Sequence, residues 1–334
     1  MSAVDFEACE QLRRESEELC FLQQLRPARD KALAALKAAT ALLGKNSLRL
    51  APFYLVLADV ALRERQLQQA EELLALVNWL LVRSRGGGDG AAAAAASGLG
   101  GGPSSQEPLD TEHAMPEEAT NLLVIRMNKL YSALLLEREA FPEALQHAAH
   151  GAYHCALLFG PEHLYTSELY FCLGAVFSRM QQIHAQPHAA GAGSATSSAG
   201  ASGGLAQLQR QQRDGESALG MFDKVVDIWY RFLTNPPEDT AAWVLEHQRL
   251  RVYEASRMLH AITQTRSTAL GASHVATGEA LYTQGLVSLF LGDHAQAKAF
   301  VQRALAIYSD NLGPDHPSAM DVRNVLQQLQ DAGV

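Results

Sequence analysis

The stretch FGPEHLYTSELYFCLG, residues 159–174, is written again in altered wording as LGASHVATGEALYTQG, residues 270–285. Both run from a large apolar residue and Gly, through a short polar turn with His, to a second Gly fourteen positions on. The same interval separates Gly44 from Ala58 in LLGKNSLRLAPFYLVLADV. A small residue stands sixteen positions before each turn glycine: Ala28 before Gly44, Ala144 before Gly160, Ala255 before Gly271 and Ala297 before Gly313. Twelve positions then separate Ala58 from Ala70 and Gly285 from Ala297, which closes a period of 42 residues. A fixed period of this size marks stacked supersecondary units.

Each landmark has a steric reason. LYTQGLVSLFLG has helical apolar spacing and ends in Gly292, which suits the left-handed C′ position. HAQAKAFVQRALAIYSDNLG reads as a second amphipathic helix, closed by Gly313 and followed by Pro314. Small residues at Gly285 and Ala297 let the two helices of a hairpin approach closely. This pattern resembles the tetratricopeptide (TPR) repeat, in a 42-residue form similar to that of kinesin light chains. By their alanines, six modules are counted, at Ala28, Ala70, Ala144, Ala218, Ala255 and Ala297. The module at Ala255 departs from the pattern, because Trp243 stands where a small residue belongs. Its first helix is expected to be short or displaced. The expected fold is an all-α, TPR-like right-handed superhelix of about six helix hairpins plus a C-terminal capping helix.

Two segments break the period. Residues 84–116 and 184–210 are rich in Gly, Ala, Ser and Pro, and bury too little apolar surface to offset chain entropy. Both are expected to be disordered, or locally helical at most. The expected turn glycine of the second module falls at Gly86, and the next small residue, Ser132, follows 46 positions on instead of 14. Gly174 to Ala218 is 44 instead of 12, which places the second insertion at a hairpin tip. The expected organisation is modules one and two over 1–84, a low-complexity linker over 85–116, modules three to six over 117–313, and a capping helix and tail over 314–334.

Composition narrows the function. Lys and Arg number 27 against 36 Asp and Glu, a net charge of −9, which argues against a phosphate-backbone partner. Four scattered cysteines at 9, 20, 155 and 172 point to a reducing compartment. The charged first residues hold no apolar signal core, and LLALVNWLLV at 73–82 is too short to span a bilayer. These features predict a soluble intracellular chain with neither nucleic acid nor membrane as partner. GLGGGP at 98–103 mimics a phosphate loop, but no strand precedes it.

Candidate sites follow from spacing. His147, His150 and His154 lie on one helical face beside Cys155, but the packed stripe Ala144, Ala148, Gly151, Ala152 and Cys155 turns the histidines outward and the thiol inward. No metal site is expected. No nucleophile elbow or paired carboxylates stand out, so neither catalytic residues nor a cofactor are predicted. The concave-face positions are Pro52, Leu55 and Asp59; Arg126, Lys129 and Ala133; Glu168, Phe171 and Ala175; Glu279, Tyr282 and Leu286. Only Arg126 and Lys129 are basic, which disfavours a carboxylate clamp. An apolar helix or extended segment docking on Leu55, Phe171, Tyr282 and Leu286 is expected instead. Trp229 follows core spacing with Phe222, Val225 and Val226, whereas Tyr230 is freer to contact a partner. Trp79 is expected to pack into a neighbour.

A narrower resemblance covers roughly residues 16–310. SLRLAPFYLVLADVALRERQLQQAEELLALVNWLLVRS (47–84), PEALQHAAHGAYHCALLFGPEH (142–163), LYTSELYFCLGAVFSRM (164–180) and MFDKVVDIWYRFL (221–233) resemble, in order, the MYND-zinc-finger/TPR family of motile cilia. The cysteine pairs of the zinc finger are missing here. The resemblance implies an accessory subunit that holds a single-headed inner-arm dynein, dynein d, on the doublet microtubule with a second TPR protein. It implies a dynein heavy-chain tail or that second protein as partner, residence in the ciliary axoneme, and a cytoplasmic stage before assembly. An acidic chain is expected to reach the acidic microtubule indirectly. Rival readings are a kinesin-light-chain-like cargo adaptor, which lacks room for a coiled coil in residues 1–25, a zinc-dependent regulator of methylation, and a cytoplasmic dynein-arm assembly factor.

Overall fold

The computed structural model describes residues 3–96, 115–185, 199–235 and 249–331. Among them are twelve α-helices and no strand, and no helix is long and apolar enough to cross a membrane. The chain divides into two compact units, Met1–Leu158 and Phe159–Val334.

The first unit carries α1 (Ala3–Phe21), α2 (Leu25–Leu43), α3 (Ala51–Arg63), α4 (Leu67–Ala96), α5 (Glu117–Glu137) and α6 (Phe141–Phe159), the last residue of α6 lying past the boundary. They follow one another as three hairpins. Each hairpin bend is closed the same way. Gln23, Arg65 and Glu139 take positive φ (62°, 63° and 59°), five residues before Ala28, Ala70 and Ala144. The next amide in each case reaches back to the last turn of the preceding helix: Gln24 to Leu19 (2.8 Å), Gln66 to Ala61 (2.8 Å) and Ala140 to Leu135 (2.9 Å). These are Schellman closures. Leu55, Ala58, Ala70, Leu74, Val77, Leu123, Leu130 and Leu134 form a shared core.

The second unit holds α7 (Leu164–Ala185), α8 (Ala199–Thr234), α9 (Arg249–Ala269), α10 (Val275–Phe290), α11 (His294–Leu312) and α12 (Pro317–Asp331). Here Gly292 (φ 80°) occupies the bend position, with Asp293 donating to the Ser288 carbonyl (2.9 Å). The core gathers Phe222, Val225, Val226, Trp229, Val252, Ala255, Leu259 and Ile262. Trp229 is fully buried, as its spacing predicts, and its Nε1 donates to Ser167 Oγ (3.0 Å).

All six period alanines are buried to within 1%. Their small partners are needed where they stand. A Cβ on Gly174 would lie 2.5 Å from the Phe222 ring, and one on Gly285 would lie 2.8 Å from Val301. Ser16, twelve residues before Ala28, completes the first module; it is fully buried and donates to the Ala28 carbonyl (2.6 Å).

The turn that repeats between modules is a helix cap. His163, His274 and His316 each stand three residues after a turn glycine, and each Nδ1 accepts from the amide two residues on (3.2, 3.1 and 3.2 Å). Ser47 Oγ does the same for Arg49 (3.3 Å). Thr166 and Thr277 donate back to the carbonyls of Gly160 and Gly271 (2.8 and 3.0 Å). The shared histidines are thereby explained as capping groups.

The insertions are locally helical at their edges, as the sequence allows. No turn forms at Gly86, and α4 runs on through it to Ala96. The second insertion lengthens its hairpin: α8 begins at Ala199, Gln207 Nε2 donates to the His184 carbonyl (2.9 Å), and His184 pairs with Asp214 (2.9 Å). The α4 extension ends in six alanines, 91–96, the residue of highest helix propensity, although glycines at 86–88 and 90 oppose it. The GLGGGP string and Trp243 lie outside the described residues.

Candidate partner-binding site

The expected docking anchors do not form an open apolar strip. Leu55 is fully buried in the first unit's core, and Tyr282 is buried but for an edge. Phe171 packs on the second unit's core with its ring 5.9 Å from Phe222, and Leu286 packs on the α10–α11 core. The contacts that stack one hairpin on the next cover positions that would be exposed on an isolated hairpin. Of the aromatic expectations, Tyr230 is open to solvent at 37%. Trp79 does not pack into a neighbour; it is 46% exposed, with the Arg83 guanidinium 5.2 Å over its ring.

The basic pair of the third module is drawn inward. Arg126 pairs with Glu17, which Arg13 also holds (2.9 Å). Burial opposes the charge on Glu17, yet Arg126 and Arg13 outweigh it and keep its carboxyl below the usual range. Burial likewise opposes the charge on Asp59, while Arg63, Arg126 and Lys129 hold it down. Arg126 and Lys129 therefore serve a charge network of the first unit and leave little field for a partner's carboxylate. In the fourth module, Glu168 pairs with Arg251, whose guanidinium lies 3.1 Å over the Tyr165 ring.

His147 does not face outward as expected. It is half-buried, donates from Nδ1 to Asn128 Oδ1 (2.8 Å) and stacks on Tyr131 (4.8 Å between ring centroids). Burial pushes its pKa down, with His150 adding to the effect. Asn128 in turn donates to the Val124 carbonyl (2.8 Å). His150 and His154 approach each other at 3.2 Å. Among the described residues no group of three His, Cys, Asp or Glu side chains is placed to hold a metal ion.

The open site lies in the second unit. A cavity of about 460 Å³ is walled by Asp223, Val226, Asp227 and Tyr230 of α8, Arg266 of α9, Glu279, Tyr282 and Thr283 of α10, Tyr308 of α11, and Ser318 and Asp321 of α12. Glycine at 278 lets the Tyr308 ring lie against α10, since a Cβ there would come 3.0 Å from it. The rings of Tyr230 and Tyr282 stand 6.1 Å apart at 49°. Burial pushes Tyr282 up to about 12, with Tyr230 and Asp321 reinforcing it, and burial raises Tyr308 further still. Both phenols are neutral across the physiological range.

Arg266 forms one wall. Its side chain is 1% exposed, pairs with Asp223 and donates from Nη1 to the Ala276 carbonyl (2.6 Å). Its Nε has no hydrogen-bond partner among the described residues. Glu279, open at its tip, has enough protein around it for burial to push its carboxyl up against the opposing pull of Arg266. Glu279 and Tyr282 were concave-face positions in the sequence. Asp223, Arg266, Tyr308 and Asp321 join them only through the packing of four further helices.

No protein-family model matches the chain. Among solved structures it is similar to BtubC (BKLC) from P. vanneervenii, with 14% identity and a TM-score of 0.29 over 95% of each chain.

Proposed function

We propose that this chain is a non-catalytic, TPR-like scaffold of the ciliary axoneme. In this reading it is an accessory subunit that helps dock or stabilise a single-headed inner-arm dynein, dynein d, on the doublet microtubule together with a second TPR protein. The axonemal assignment is supported by the ordered resemblance across residues 16–310. The interaction role is supported by one observation above the rest: the hairpins are closed by their own cores and ion pairs, yet α8 to α12 leave a shaped, charged cavity open. Such a concavity on a rigid helical frame presents a surface without chemistry of its own.

Crosslinking mass spectrometry on isolated axonemes tests the proposal. Links from Lys224 on α8 or Lys298 on α11 to a dynein heavy-chain tail or to a second TPR protein are the expected result. Recovery of the protein only in the cell-body fraction overturns the resident-subunit reading in favour of an assembly factor. Co-sedimentation of the purified protein alone with microtubules at physiological salt overturns the indirect attachment.

A further inference from the structure

The groove charges of the repeat are almost all neutralised from within, and the cavity of the second unit is the exception. Asp59, Arg126 and Glu168 stand in ion pairs. In the cavity, four carboxylates (Asp223, Asp227, Glu279 and Asp321) face one guanidinium. That guanidinium, Arg266, is turned back onto Asp223, and Asp227 is held by Arg231 on the surface (3.0 Å). Among the described residues neither Glu279 nor Asp321 has an ion-pair partner.

The chain contains its own precedent for what such a carboxylate takes. Glu168 and Glu279 occupy the same register, eight residues after Gly160 and Gly271. At Glu168 the register is filled by Arg251, which sets its guanidinium on the carboxylate and over a tyrosine ring. At Glu279 the carboxylate and the tyrosine rings are present, and among the described residues no ion pair or cation–π contact is made to them; Arg266 and His274 act on the carboxylate only through space.

We infer that the cavity receives a basic side chain, arginine or lysine, carried by a segment of a partner protein, with Glu279 and Asp321 as its counter-ions and Tyr230 and Tyr282 as the ring faces it lies against. The inference rests on reading the chain as an interaction scaffold. Four carboxylates against one guanidinium disfavour phosphate and carboxylate ligands, while an ammonium or guanidinium gains from both the carboxylates and the aromatic faces. The volume of about 460 Å³ falls within the range of true ligand pockets. The cation does not come from the segments outside the described residues: residues 1–2, 97–114, 186–198, 236–248 and 332–334 contain no Lys or Arg. We take a partner as its source.

The test is fluorescence anisotropy on the full-length protein at physiological ionic strength. The probes are a short fluorescein-labelled Gly/Arg peptide, the same peptide with citrulline for every arginine, and free spermine as competitor. The arginine peptide is expected to bind about tenfold more tightly than its uncharged counterpart. The pair Glu279→Gln with Asp321→Asn is expected to cost about tenfold, and Tyr230→Ala several-fold. A remote pair in the sequence with the same charge change, Glu18→Gln with Glu117→Gln, is expected to cost less than about twofold, because it leaves the cavity's own carboxylates in place. The inference is overturned if the remote pair weakens binding as much as the cavity pair, if citrulline binds as well as arginine, or if spermine alone binds as tightly as the peptide. Crosslinking to axonemal neighbours by a chain that ignores basic peptides defeats this inference alone. Peptide binding by a chain absent from axonemes defeats the axonemal placement and leaves the inference standing.

Discussion

Replacing Gln23, Arg65 and Glu139 by glycine is expected to stabilise the first unit. All three hold the left-handed bend position that the sixth module fills with Gly292. The left-handed region costs an L-residue roughly 1–2 kcal/mol, because Cβ crowds the following carbonyl. Glycine removes that cost but adds freedom to the unfolded chain, so the net gain is roughly 0.5–1 kcal/mol per site. Arg65 loses an exposed pair with Glu137, which contributes roughly 0.5 kcal/mol or less. The bends lie in separate hairpins, so the gains add to about 2 kcal/mol. For a unit of this size that is a rise in melting temperature of roughly 4–8 °C. Urea unfolding followed by circular dichroism at 222 nm reads the effect as a higher midpoint at constant slope. The converse change, Gly292→Ala, is expected to cost the second unit roughly 1 kcal/mol. No atom lies within 4 Å of a Cβ built there, so that loss would be purely conformational. A triple variant whose midpoint is unchanged or lower at the same slope refutes the reasoning.

Further outcomes follow from the packing and the caps. Gly174→Val pushes into the buried Phe222 ring and is expected to destabilise the second unit by roughly 1–3 kcal/mol, read as a lower urea midpoint. His163 caps α7 through an unprotonated Nδ1; burial lowers its pKa below 6.5, Arg251 adds to this, and Glu168 opposes it. Its contribution is therefore fully present above pH 6.5 and is lost as pH falls through the lowered folded value. The variant His163→Ser keeps a capping oxygen, and a flatter acid limb in its stability–pH profile checks the assignment.

What the sequence made legible was whatever steric necessity restricts to one or two residue types. Six alanines and their small partners could be read because no larger side chain fits between helices at that distance. The bends of the first unit escaped notice because Gln, Arg and Glu bear a conformation that glycine advertises. The capping role of His163, His274 and His316 had one available signal, since Ser47 holds the same register and serine is a common cap. Groove exposure was the least legible property. Leu55 and Tyr282 sit at concave positions of a single hairpin; the next hairpin closes over Leu55, and α11 and α12 close over Tyr282. Charge pairing is equally hidden, because Glu17 meets Arg126 at a separation of 109 residues and Glu168 meets Arg251 at 83.

That hidden pairing decides which module is a site, and Arg251 shows how to prove it. A repeat writes one backbone many times, so modules differ in function where a charge is or is not matched from within. Glu168 keeps only 10% of its side-chain surface and has Arg251 as an ion-pair partner. Removing one partner of a buried pair leaves an uncompensated charge at a cost of roughly 3 kcal/mol, whereas replacing both by neutral groups costs little. Arg251→Leu alone is thus expected to lower the second unit's stability by roughly 3 kcal/mol, and adding Glu168→Gln is expected to restore most of it. Glu279→Gln, at the same register with only the through-space pull of Arg266 and His274 to lose and the burial of its charge relieved, is expected to leave stability within roughly 0.5 kcal/mol of the parent. Urea midpoints for the four proteins measure all of this. Equal sensitivity at Glu168 and Glu279 would mean that both carboxylates are balanced inside the fold, and the cavity would then have no unmet charge to offer a partner.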